Sequence, residues 1–140
     1  MQMLTLPGNL DSLKPIREHV MAAAEEAGLE NKAAYRLALA VDEIATNIIM
    51  HAYEEAGHDG DIGLMIEINE RQLKVILEDE GHRFNPHEHG DPDHLGATLE
   101  ERPIGGLGVY LALRGVDRFE YEFIDGRNRN IFVMQRSGGS

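Results

Sequence analysis

Leu37, Val41, Ile44 and Ile48 recur at helical spacing within residues 31–55, so this stretch predicts a long helix with one buried stripe. A helix with such a stripe gains its stability by packing against a second layer, and this requirement limits the folds open to the chain more than any other feature. Strands can supply that layer. Leu64, Ile66 and Ile68 alternate with polar or smaller residues, and so do Leu73, Val75 and Leu77. Residues 61–69 and 71–79 therefore predict two strands joined by a hairpin at Asn69-Glu70. Strands at about 118–125 and 129–135 are predicted to flank a turn at Gly126-Arg127-Asn128. At the start, residues 1–8 predict a strand or extended segment, and Asn9 or Asp11 caps a helix that ends at Gly28. Gly57, Asp59 and Gly60 end the long helix, and a further helix is predicted from Ile104–Gly108 to about Arg114. Segregated helices and hairpin-linked strands predict an α+β fold. Its form is a two-layer α/β sandwich with helices on one face of a mixed, mostly antiparallel sheet.

A chain of 140 residues fits one domain spanning 1–140 and is long enough to bury a core without staples. It contains no cysteine, which excludes disulfides, thiolate metal sites and a cysteine nucleophile. The formal charge of −12 opposes binding to phosphate backbones or anionic lipid, so no nucleic-acid or membrane role is expected. No stretch approaches the ~20 apolar residues of a membrane span, and Met1-Gln2-Met3-Leu4 has no charged leader, so a cytoplasmic location is expected. Ser137-Gly138-Gly139-Ser140 is expected to be a flexible tail.

Three clusters carry chemistry. On the long helix, Glu43, Asn47 and His51 are spaced i, i+4, i+8 and share one side, which flanks the apolar stripe, while Asp42 falls on the far side. A carboxylate and a carboxamide one turn apart can hold Mg²⁺ through oxygen or orient a nucleophile; the same spacing also suits a solvated helix flank. Glu78-Asp79-Glu80-Gly81 ends an apolar strand. There Asp79 can accept a hydrogen bond from an amine and Gly81 lets backbone approach a flat ring, although acidic residues before glycine also mark ordinary turns. Finally, Arg102-Pro103-Ile104-Gly105-Gly106-Leu107-Gly108 precedes an apolar helical run. Its glycines expose N–H groups at a helix start, a ready anion site, without the lysine of a Walker loop or the strand context of a Rossmann loop. A purely structural glycine turn has the same appearance.

In this order the three clusters resemble the boxes of the GHKL (Bergerat) ATP-binding fold. Glu43-x-x-x-Asn47 is similar to its N-box, Asp79-x-Gly81 to its first glycine box and Gly105-Gly106-Leu107-Gly108 to its second. The run Asn47–Tyr53 and the stretch from Glu101 to Ala112 look most like anti-sigma-factor serine kinases of the RsbW and SpoIIAB kind, over roughly residues 10–135. The resemblance implies ATP and Mg²⁺ as cofactors, with Asn47 as the protein ligand of the ATP-bound Mg²⁺ and Glu43 as general base. It implies that Asp79 bonds the adenine amino group, that Gly81 lies against the base, and that Gly105, Gly106, Leu107 and Gly108 close over the phosphates. His51 joins this binding set by its place on the helix, and Arg102 by its place at the end of a lid over 82–104. The implied activity is transfer of the γ-phosphoryl group to a serine or threonine of an anti-anti-sigma (STAS) protein, with a sigma factor as a second partner. A homodimer using the helix over 10–28 is a further expectation from the family.

Two departures stand out. Arg83 occupies a position where many relatives carry glycine or proline, and the family's recurrent threonine near the final strands is replaced by the Gly126-Arg127-Asn128 region, which puts one hydrogen bond near the adenine in question. Three other readings remain: a non-catalytic, ATP-dependent partner-switching module, an ATPase without a protein substrate, and a metal-binding loop. The last rests on His82, His87, His89 and His94 with Glu88, Asp91 and Asp93 between them, a set that also fits a polar lid.

Overall fold

A computed structural model of the chain describes residues 2–50, 60–81 and 112–136. Their elements are β1 (Gln2–Pro7), a 3₁₀ turn (Leu10–Ser12), α1 (Leu13–Glu26), α2 (Asn31–Asn47), β2 (Asp61–Ile68), β3 (Gln72–Asp79), β4 (Arg118–Ile124) and β5 (Arg127–Gln135). The strands form one sheet in the order β1-β2-β3-β5-β4, and each of these pairings is antiparallel. This is the two-layer α+β architecture that the patterning predicts.

The local reasons are legible. Asn9 caps the 3₁₀ turn, its side chain accepting from the Asp11 N–H at 3.0 Å. α1 ends where Gly28 takes φ +77°, with Leu29 N–H bonded to Ala24 C=O and Gly28 N–H to Glu25 C=O, the Schellman pattern. Asn69 organises the β2–β3 turn by accepting from the N–H groups of Arg71 and Gln72. The long helix keeps α-geometry to Asn47, passes into a π turn over 48–50, and its predicted extension to 55 lies outside the described residues.

The core lies between the layers. Ile16, Val20, Leu37, Val41 and Ile44 from the helices meet Leu64, Leu73, Val75, Leu77 and Phe132 from the sheet, all at most 2% exposed. Each such side chain stabilises the fold by about 1.5–3 kcal/mol. Phe119 meets Phe132 edge to face, ring centroids 5.1 Å apart. A smaller cluster of Ile76, Ile131 and Val133 occupies the opposite face of the sheet. Arg136 ties the layers at one end, donating to the carbonyls of Ala27 at 2.8 Å and Asn69 at 2.6 Å. No helix among the described residues is long and apolar enough to cross a membrane.

Candidate functional site

On β3, Leu73, Val75 and Leu77 point into the core, and strand alternation carries the same face on to Asp79. The fold thus places a carboxylate where it places leucine and valine elsewhere, and leaves it 2% exposed. Its Oδ1 accepts from the Gly81 N–H at 2.9 Å and from Asn128 Nδ2 at 2.9 Å. Its Oδ2 is buried and has no hydrogen-bond partner among the described residues. Burial raises the pKa of Asp79; the bonds from Asn128 and Gly81 oppose that shift without cancelling it. An unpaired buried acceptor is costly, so this oxygen calls for a donor from beyond the described residues.

The sequence placed Asn128 in a turn, and the structure corrects this. The turn residues are Asp125 and Gly126, both left-handed at φ 53° and 75°, the two-residue hairpin geometry that Asp-Gly favours. Asn128 therefore lies inside β5, opposite Asp79 in register and 2% exposed. Its amide also reaches the Gly81 carbonyl at 3.4 Å and accepts a hydrogen bond from the Tyr121 hydroxyl of β4. Asn130, one rung further on the same face, is 1% exposed and its Oδ1 has no partner among the described residues. Asn128, Tyr121 and Asn130 were missed as candidates. The available signals were the Asp-Gly pair, which fixes the hairpin, and two asparagines alternating with apolar residues in a strand whose other inward positions are Phe132 and Met134.

The helical layer contributes the second pair. Glu43 and Asn47 follow Ala40 along α2; Ala40 is fully buried, Glu43 half-buried and Asn47 9% exposed. Burial raises the pKa of Glu43, and the neighbouring charge of Asp42 adds to the shift. Asp42 itself turns outward to pair with Arg17 on α1 at 2.9 Å. The π turn over 48–50 directly follows Asn47, and such irregular turns are frequent at functional positions in helices.

Asp79 and Gly81 are thus joined on the sheet, and Glu43 and Asn47 sit one turn apart on α2. His51, Arg102, Gly105, Gly106, Leu107 and Gly108 lie outside the described residues, as do the lid over 82–104 with its histidines and the tail over 137–140. The chemistry on hand is a buried acceptor beside a glycine on the sheet, with a carboxamide and a carboxylate of raised pKa on the helix. The orphaned Oδ2 fits the exocyclic amine of a base, and an amide oxygen at Asn47 fits a hard cation that keeps several of its waters.

Comparison with known proteins gives three kinds of match. The model of the histidine kinase-like ATPase domain matches residues 6–136. Serine-protein kinases RsbW are similar to the chain: that of Bacillus pumilus is 28% identical over 123 residues, covering 85% of this chain and 76% of the relative. That of Halalkalibacterium halodurans is 28% identical over 122 residues, covering 84% and 72%. Among solved structures, the histidine kinase domain of the Erythrobacter litoralis EL346 blue-light activated histidine kinase superposes with a TM-score of 0.56 at 17% identity. That match covers 91% of this chain and 62% of that one, and it bears on the fold alone.

Proposed function

This chain belongs to the histidine kinase-like ATPase domain family, and from that premise we propose that it is an ATP-dependent protein kinase of the anti-sigma-factor type. Its substrate is a serine or threonine hydroxyl on an anti-anti-sigma (STAS) partner, and it also binds a sigma factor. The observation that carries the nucleotide reading is Asp79: a buried carboxylate with one oxygen held by the protein and the other unpartnered among the described residues. The similarity to serine-protein kinases RsbW supports the choice of reaction.

In this reading Asp79 Oδ2 accepts from the adenine amine and Gly81 lies against the ring. Gly105, Gly106, Leu107 and Gly108 donate N–H groups to phosphate, and Arg102 and His51 complete the binding set. Asn47 supplies an oxygen to Mg²⁺, whose charge neutralises phosphate oxygens in phosphoryl transfer. Glu43 holds the proton of the attacking hydroxyl at its carboxylate, and its raised pKa makes it a better base than an exposed glutamate.

The test is phosphate transfer from labelled ATP to a serine-bearing STAS partner, run beside calorimetry with ADP. Wild type is expected to do both. Glu43→Gln is expected to bind ADP within about 3-fold of wild type while phosphotransfer falls by roughly 10²–10⁴-fold. Binding without any transfer, indifferent to Glu43→Gln, would replace this reading with a partner-switching module.

A further inference from the structure

The β4–β5 hairpin brings a polar relay to Asp79 that the three sequence clusters do not contain. Asn128 Nδ2 lies between two acceptors, Asp79 Oδ1 at 2.9 Å and the Gly81 carbonyl at 3.4 Å. The amide must therefore turn its NH₂ toward them, and its oxygen is left to accept from the Tyr121 hydroxyl. The opposite orientation would set the amide oxygen against the carboxylate and the carbonyl, so these two acceptors fix the amide, and the Tyr121 hydroxyl donates to the oxygen left facing it.

Resting on the reading that the site at Asp79 takes an adenine nucleotide, we infer that Asn128, braced by Tyr121, is the positioning residue that keeps Asp79 a hydrogen-bond acceptor and so makes the site select a 6-aminopurine over a 6-oxopurine. An acceptor at Oδ2 matches the exocyclic amine of adenine. A protonated carboxyl would present a donor there instead and match the oxygen of hypoxanthine or guanine. Burial pushes Asp79 toward the protonated form, and the Asn128 bond opposes that push. The nearby charges among the described residues are arranged elsewhere. Arg127 pairs with Glu78 and Glu80, and Arg129 with Glu78 and Glu122, all on the outer face of the sheet. Tyr121 is the ionisable group that β4 brings to the relay, and α2 brings Glu43 to the layer opposite.

The experiment is calorimetry of the full chain with ADP and with inosine diphosphate, from about pH 5 to about pH 9. Wild type is expected to prefer ADP and to lose ADP affinity on acidification. Asn128→Ala is expected to reduce the ADP preference about 10-fold and to move the acid limb to higher pH. Tyr121→Phe, which removes one oxygen and leaves the ring packing, shifts both quantities in the same direction by less. Asn128→Asp is the sharpest arm. At neutral pH it sets two carboxylates together and weakens ADP by about 10–100-fold, but acidification restores binding as one shared proton recreates the donor toward Asp79. A purely structural role would not reverse that slope. If wild type prefers ADP while Asn128→Ala and Tyr121→Phe keep its base preference and acid limb, the relay inference is wrong and the adenine reading survives. If wild type binds neither nucleotide, or both alike, both fail.

Discussion

Replacing Asp79 by asparagine should move stability and nucleotide affinity in opposite directions. The carboxamide keeps an oxygen where Oδ1 accepts from Gly81 N–H and Asn128 Nδ2, and it removes the negative charge from a residue 2% exposed. The new NH₂ is no better partnered than Oδ2 was, so the gain is the difference between burying an unpaired charged and an unpaired neutral group, about 1–2 kcal/mol. For a chain of this size that raises Tm by roughly 3–6 °C. The pH dependence fixes the cause. Asp79 has a native pKa raised above the ordinary aspartate value of 3.8, so the native state holds the extra proton between those two values, and wild-type stability falls as pH rises through that window. The variant lacks this loss. Its Tm advantage should therefore be absent in acid below 3.8, grow through the window and reach its full size at neutral pH. ADP affinity should meanwhile drop by about 10–150-fold, because a charge-assisted hydrogen bond worth ~1.5–3 kcal/mol is replaced by two donors facing each other. Thermal unfolding by circular dichroism over pH, with calorimetry on the same samples, measures both. A less stable variant at neutral pH, an advantage that widens toward acid, or unchanged ADP affinity would each refute the reasoning.

Two further outcomes concern α2. Asn47→Ala should remove the part of nucleotide affinity that depends on Mg²⁺, so calorimetric titrations with and without EDTA should converge in the variant and differ in wild type. Asp42→Asn should leave ADP binding unchanged but move the acid limb of phosphotransfer to lower pH, because the Asp42 charge is the second cause of the raised Glu43 pKa and its loss eases ionisation of the base; a pH–rate profile reads the shift.

The layers were legible because burial writes a period into the chain. The stripe Leu37, Val41, Ile44 and the alternation Leu73, Val75, Leu77 correspond to the faces that meet in the core. Gly28 was legible as a helix end because only a left-handed residue closes a Schellman motif cheaply. Asp79 could be named from its place at the end of an apolar strand, but nothing in the sequence says which of its oxygens is held. The hairpin was misplaced by two residues. Gly-Arg-Asn and Asp-Gly both carry turn chemistry, and local propensity could not show that Asn128 would stand opposite a residue 49 positions earlier. The π turn over 48–50 was invisible for a similar reason, since Ile48 and Ile49 fit an uninterrupted helix equally well by hydrophobicity.

The inner face of the sheet states its own division of labour. At 73, 75, 77, 132 and 134 it carries apolar residues, each at most 2% exposed; at 79, 128 and 130 it carries Asp, Asn and Asn, equally buried. Valine or leucine at those three positions would extend the core and strand no polar atom, so the polar choice lowers the stability of the fold itself. Two acceptors there, Asp79 Oδ2 and Asn130 Oδ1, lack partners among the described residues, and burial charges the fold for both. A ligand that offers donors at those points removes the penalty as it binds, and mass action then makes the fold more stable in proportion to how tightly it is held. On the proposed reading, nucleotide affinity and the fold's own weakness have one source at this end of the sheet, so a single substitution at Asp79 should trade one against the other.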